Sequence, residues 1–166
     1  MATLLALPVL VVMLILQSAI LSRMTLLHGT TDLVLLAVIA WSLQKRVQTA
    51  WLWGIIGGLL VTIASNLPPG VSLASYLLAV GMALVLRQRV WQVPILSMFV
   101  ATILGTLIIQ GLAYLVLRLN GLPLPVLTVI NQITLPSILL NLLVAIPIFA
   151  IMSDFARWIY PEELEV

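Results

Sequence analysis

Residues Val93–Leu117 read VPILSMFVATILGTLIIQGLAYLVL, with no charged side chain among them. A helix of about 20 mainly apolar residues covers the roughly 30 Å hydrocarbon core of a bilayer. This stretch is long enough to do so. It lacks the polar/apolar alternation of a barrel strand. In lipid every backbone N–H and C=O needs an internal partner, so the viable reading is a membrane-crossing helix.

The rest of the chain has the same character. Of 166 residues, 63% are hydrophobic and 7% charged, and the mean hydropathy is +1.28. Seven basic and five acidic side chains cannot cover the surface of a water-soluble domain of this size. Successive apolar runs lead to an all-α membrane protein of about six helices in one integral domain, 1–166. The expected spans are 3–21, 26–43, 50–67, 71–86, 93–117 and 133–152. The second is the weakest, because its apolar core is only Leu33–Leu43. It crosses if it starts near Leu26; otherwise it begins at Asp32 as a short tilted or re-entrant piece. Pro68-Pro69-Gly70 breaks the chain after the third span. Arg118–Pro125 reads as a loop. The N-terminal run has no basic residue before Arg23 and is expected to be a span rather than a cleaved signal.

With six spans, Lys45, Arg46, Arg87, Arg89 and Arg157 fall on one side, and Arg23 and Arg118 on the other. The positive-inside rule then places the first group and both termini in the cytoplasm. Trp41, Trp51, Trp53, Trp91 and Trp158 fall near cytoplasmic span ends, where indole rings favour the interface.

The side chains needed for catalysis are scarce. No acidic residue lies between Asp32 and Asp154, so paired-carboxylate acid/base work lacks material. His28 is the sole histidine and there is no cysteine, which excludes disulfides and the common zinc-ligand sets. The expectation is a non-enzymatic protein without cofactor or metal. Nucleic acid is not an expected partner, because the cations are scattered between apolar runs.

A few polar or small residues stand out. Asp32 opens an apolar run, either as a helix N-cap or as a carboxylate that pairs with Arg23 or fixes a partner. Ala50, Gly54, Gly58 and Thr62 recur every four residues, extended by Asn66, and such spacing lets helices approach closely, within the chain or between chains. Ser137, Asn141 and Ala145 form a similar row, and a mid-span Asn141 must find partners. Gln110 poses the same question. Pro136 and Pro147 are expected to bend the last helix.

Several of these residues carry a resemblance. Leu16-Gln-Ser-Ala-Ile-Leu-Ser-Arg23, Thr31-Asp-Leu-Val-Leu-Leu36, Gly54 with Gly57-Gly-Leu-Leu60, Pro69-Gly70, and Leu140-Asn-Leu-Leu-Val-Ala-Ile-Pro147 follow in that order. Together they resemble the bacterial rod shape-determining MreD family over nearly the whole chain. Thr31 stands where that family usually has Pro, and Thr62 stands nearest a common Asp. The resemblance implies a multi-pass inner-membrane subunit of the cell-elongation complex. Its implied partner is the bitopic MreC. Through it the chain would reach the elongation transpeptidase, a penicillin-binding protein, and RodA and MreB. It also implies a six-helix fold similar to substrate-binding subunits of vitamin transporters. A transport subunit for a small vitamin-like molecule is therefore the alternative reading. The positions carried over, without assigned roles, are Arg23, Asp32, Gly54, Gly58 and Asn141.

Overall fold

A computed structural model describes residues 2–21, 29–65, 67–68, 70–89, 93–122 and 125–161. Arg23, His28, Asn66 and Trp91 lie outside the described residues. The helices are α1 (Ala2–Leu21), α2 (Leu33–Ser42), α3 (Ala50–Ala64), α4 (Val71–Arg89), α5 (Pro94–Leu119), α6 (Val126–Val129) and α7 (Leu135–Ile159). A π-helical turn, Ile130–Thr134, joins α6 to α7. No strand occurs among the described residues. Three helical stretches are long and apolar enough to cross a membrane: Val71–Gln88, Pro94–Leu119 and Val126–Ile159.

The bundle is organised around α2. All ten of its residues are buried, and it touches α1, α3, α4, α5 and α7. A helix that is apolar on every side needs such a position. The outer faces are also apolar: Ile63 is 85% exposed and Leu143 75%. The polar atoms sit inside, which is the arrangement lipid demands.

Of the stretch expected to cross at 26–43, the described residues are helical only over Leu33–Ser42. Ten residues rise about 15 Å, half of the hydrocarbon thickness. The cause is local. The Asp32 side chain accepts from the backbone N–H of Leu35 at 2.9 Å, and residues Gly29–Asp32 before it are not helical. An N-cap carboxylate sets the helix start where it stands.

Other boundaries also depart from the expected ones. The third helix ends at Ala64 rather than 67, where the backbone of Ser65 turns extended. The last helical stretch begins at Val126 rather than 133. In its π turn the Leu135 N–H reaches back to the Ile130 carbonyl. This wider turn lies just ahead of Pro136, whose ring would otherwise crowd the carbonyl of the preceding turn.

The row Ala50, Gly54, Gly58 is buried within the chain. A Cβ on Gly58 would lie 2.9 Å from Leu73 Cα, and one on Gly54 2.7 Å from Val80 Cγ2. Both glycines are therefore occupied by α4, whose backbone they let come close.

Two of the tryptophans expected at the membrane interface are core residues. Trp41 and Trp53 are fully buried, and their rings stack with centroids 4.3 Å apart at an interplanar angle of 18°. The short α2–α3 connection folds one against the other, with Phe155 beside both. Trp51 and Trp158 do face outward.

Candidate functional site

The half-length α2 creates a problem that polar side chains from other helices solve. Non-helical backbone at membrane depth survives only where protein satisfies it. The Thr30 N–H donates to Ser137 Oγ at 3.0 Å, and the Asp32 N–H to Asn141 Oδ1 at 2.9 Å. The Val34 N–H points at Gln17 Oε1, 3.4 Å away. Gln17 comes from α1, and Ser137 and Asn141 lie one turn apart on the same face of α7. The spacing of the last-helix row thus matches the two donors it receives.

Close approach makes this possible. Gly29 is buried against α7, where an added Cβ would lie 2.6 Å from Pro136 Cβ and 2.9 Å from its carbonyl carbon. Only glycine lets the non-helical strand of chain lie on the helix at that point.

The network continues sideways. Asn141 Nδ2 donates to Thr106 Oγ1 at 3.0 Å, and the Thr106 hydroxyl in turn donates to the Thr102 carbonyl at 2.8 Å. The Tyr76 hydroxyl donates to Asp32 Oδ1 at 2.7 Å. One junction therefore gathers α1, α2, α4, α5 and α7. A polar cavity of about 80 Å³ adjoins it, lined by Gln17, Thr30, Asp32, Thr106, Gln110 and Asn141.

Of the residues singled out in the sequence, Asp32 and Asn141 are brought together, while Gly54 and Gly58 sit apart at the α3–α4 contact. Asp32 is an N-cap, and a hydroxyl, an amide and backbone surround it. Gln17, Tyr76 and Thr106 join the junction without having stood out. Thr106 is a lone polar residue in an apolar run, the signal that marks Gln110 and Asn141, whereas Gln17 and Tyr76 each stand beside a serine, Ser18 and Ser75.

A second polar feature lies at the other end of α2. Arg87 donates to the Gln44 and Val47 carbonyls, both at 2.9 Å, and ties α4 to the α2–α3 turn. Arg46 reaches the Tyr160 carbonyl at 3.4 Å, and Arg157 pairs with Asp154. Lys45, Arg46, Arg87 and Arg157 thus gather at the end where α5 begins. Arg118 is near the far end of α5, a 26-residue helix about 39 Å long. No protein-family model, curated protein or solved structure matches this chain.

Proposed function

We propose that the chain is a non-enzymatic scaffold subunit of the bacterial cell-elongation complex, resembling MreD, which binds the transmembrane helix of MreC in the plane of the inner membrane. The observation that carries this reading is the Asp32–Asn141 hydrogen bond. Two segments on which the family resemblance rests, Thr31–Leu36 and Leu140–Pro147, are far apart in sequence and pair directly at the junction. Their polar groups are spent on holding helices together, as a rigid docking platform requires. Through MreC the subunit would reach the elongation transpeptidase, RodA and MreB, and so influence peptidoglycan synthesis and cell shape.

In this reading the chain passes the membrane six times with both termini cytoplasmic. The second pass combines α2 with the non-helical Gly29–Asp32. The clustering of Lys45, Arg46, Arg87 and Arg157 at one end supports that orientation. The outer apolar faces supply the docking surface, since association in lipid rests on packing.

The transport alternative is less well supported. The cavity lined by Asp32 and Asn141 is about 80 Å³, against roughly 300–1,000 Å³ for small-molecule sites, and the larger hollows, of about 400 and 340 Å³, lie away from those residues.

The test is a mild-detergent pull-down of the tagged full chain from its native membranes, with bound proteins identified by mass spectrometry. Recovery of MreC with the elongation synthase is the expected result. Recovery of an ATPase module with its coupling protein would overturn the reading in favour of transport.

A further inference from the structure

The Asp32 junction has more hydrogen-bonding capacity than its direct contacts use. Asp32 Oδ1 accepts from both the Leu35 N–H and the Tyr76 hydroxyl, whereas Oδ2 accepts from no group among the described residues. The Gln17 side chain is engaged only through its oxygen, by the long 3.4 Å contact from the Val34 N–H. The Gln110 side chain has no hydrogen bond among the described residues. All three side chains line the same cavity of about 80 Å³.

The place makes this capacity matter. From the turn that carries Lys45 and Arg46, the ten residues of α2 rise about 15 Å. Asp32, at the other end of that helix, therefore stands about halfway through a hydrocarbon layer of roughly 30 Å. Polar groups at such a depth need partners. A carboxylate oxygen only accepts and an amide nitrogen only donates, yet no direct bond joins Asp32 to either glutamine. A molecule that both donates and accepts bridges all three. The volume takes two or three waters at roughly 30 Å³ each. Cavities that stay dry are apolar, and this one is lined by a carboxylate, three amides and two hydroxyls.

We propose that this cavity is a hydration site, in which a small cluster of ordered waters bridges Asp32 Oδ2 to the Gln17 and Gln110 amides. Water fills the column that α2 leaves open by starting at mid-depth. It completes the solvation of a carboxylate and of non-helical backbone that the protein groups satisfy only in part. The proposal rests on the Asp32 junction and on the chain lying across a bilayer; it does not depend on the rod-complex reading.

The experiment is X-ray radiolytic footprinting of the full chain in lipid nanodiscs. Pulsed irradiation splits water where it sits, and the hydroxyl radical oxidises the side chain beside it. Leu35 and Leu36 are neighbours on α2 and both are fully buried, but Leu35 lines the cavity and Leu36 does not. Oxidation of Leu35 well above that of Leu36, read by mass spectrometry of the digested chain, is the expected result. Gln17→Leu combined with Gln110→Leu keeps the side-chain bulk and removes both amides, so Leu35 oxidation should fall toward that of Leu36. Circular dichroism and elution volume check that this double variant keeps the bundle; if it does not fold, the wild-type comparison alone decides. Equal oxidation of the two leucines in the wild type would overturn the proposal, because chain or lipid then fills the cavity. Unchanged Leu35 oxidation in the folded double variant would overturn it too, because the amides would then hold no water.

Discussion

The Asn141 amide accepts a hydrogen bond from the backbone N–H of Asp32 at 2.9 Å and donates to Thr106 Oγ1 at 3.0 Å. One side chain on α7 thereby holds the start of α2 and the middle of α5. Replacing it with a leucine of similar bulk leaves the Asp32 N–H buried without its acceptor. The cost of such an orphaned group is about 1–3 kcal/mol. SDS-induced unfolding of Asn141→Leu in mixed micelles, followed by circular dichroism, should show a loss of that size.

Tyr76→Phe removes the hydroxyl that donates to Asp32 and nothing else. Interhelical hydrogen bonds within membranes are worth about 0.6 kcal/mol on average and at most about 1.7. The expected loss lies in that range. A double-mutant cycle with Asp32→Ala, which removes the acceptor, should show coupling of the same order, and additive effects would argue that the two side chains act separately.

These polar contacts were only partly legible in the sequence. The runs that become α5 and α7 announce themselves, because an uncharged apolar stretch of that length has few other homes. The α2 helix does not. Its start is capped locally by Asp32, but the backbone N–H groups around that start are satisfied by Gln17, Ser137 and Asn141, which lie on helices distant in sequence, so its own residues Leu33–Leu43 read as a span that is too short. Asp32 was readable as a cap from its place before an apolar run, but not its tyrosine partner. The row Ser137–Asn141 was visible as a pattern, and the structure supplies its purpose.

Glycine spacing tells the same story with a different gap. The row Gly54–Gly58 was legible, whereas its occupant was not. A leucine at Gly58 would drive its side chain into the backbone of α4 at Leu73. Overpacking of this kind costs about 1–3 kcal/mol. Gly111→Ala is the control: nothing lies within 4 Å of its Cβ position, and the helix should gain slightly. Unfolding curves for Gly58→Leu and Gly111→Ala should therefore shift in opposite directions.

The aromatic residues mislead for a physical reason. Position near a span end suggests an interface anchor, but a short turn between α2 and α3 can instead stack two indoles. Trp41 and Trp53 are buried, and Trp158 is 73% exposed. Single-tryptophan variants that retain Trp53 should resist a lipid-borne or aqueous quencher. Those that retain Trp158 should be quenched strongly. Removing the stack with Trp53→Ala should cost about 3–5 kcal/mol.

The central claim is that an outer face of this bundle docks a single-span partner within the bilayer. Site-specific photo-crosslinking in native membranes addresses it directly. A photoreactive residue is placed singly at Leu59 or Ile63 on α3, at Leu78 on α4, and at Leu139 or Leu143 on α7, all outward-facing. Buried Ala79 serves as the internal control. The expected result is an adduct with the transmembrane segment of MreC from one contiguous set of outer positions and none from Ala79. Adducts with lipid alone from every outer position would contradict the claim.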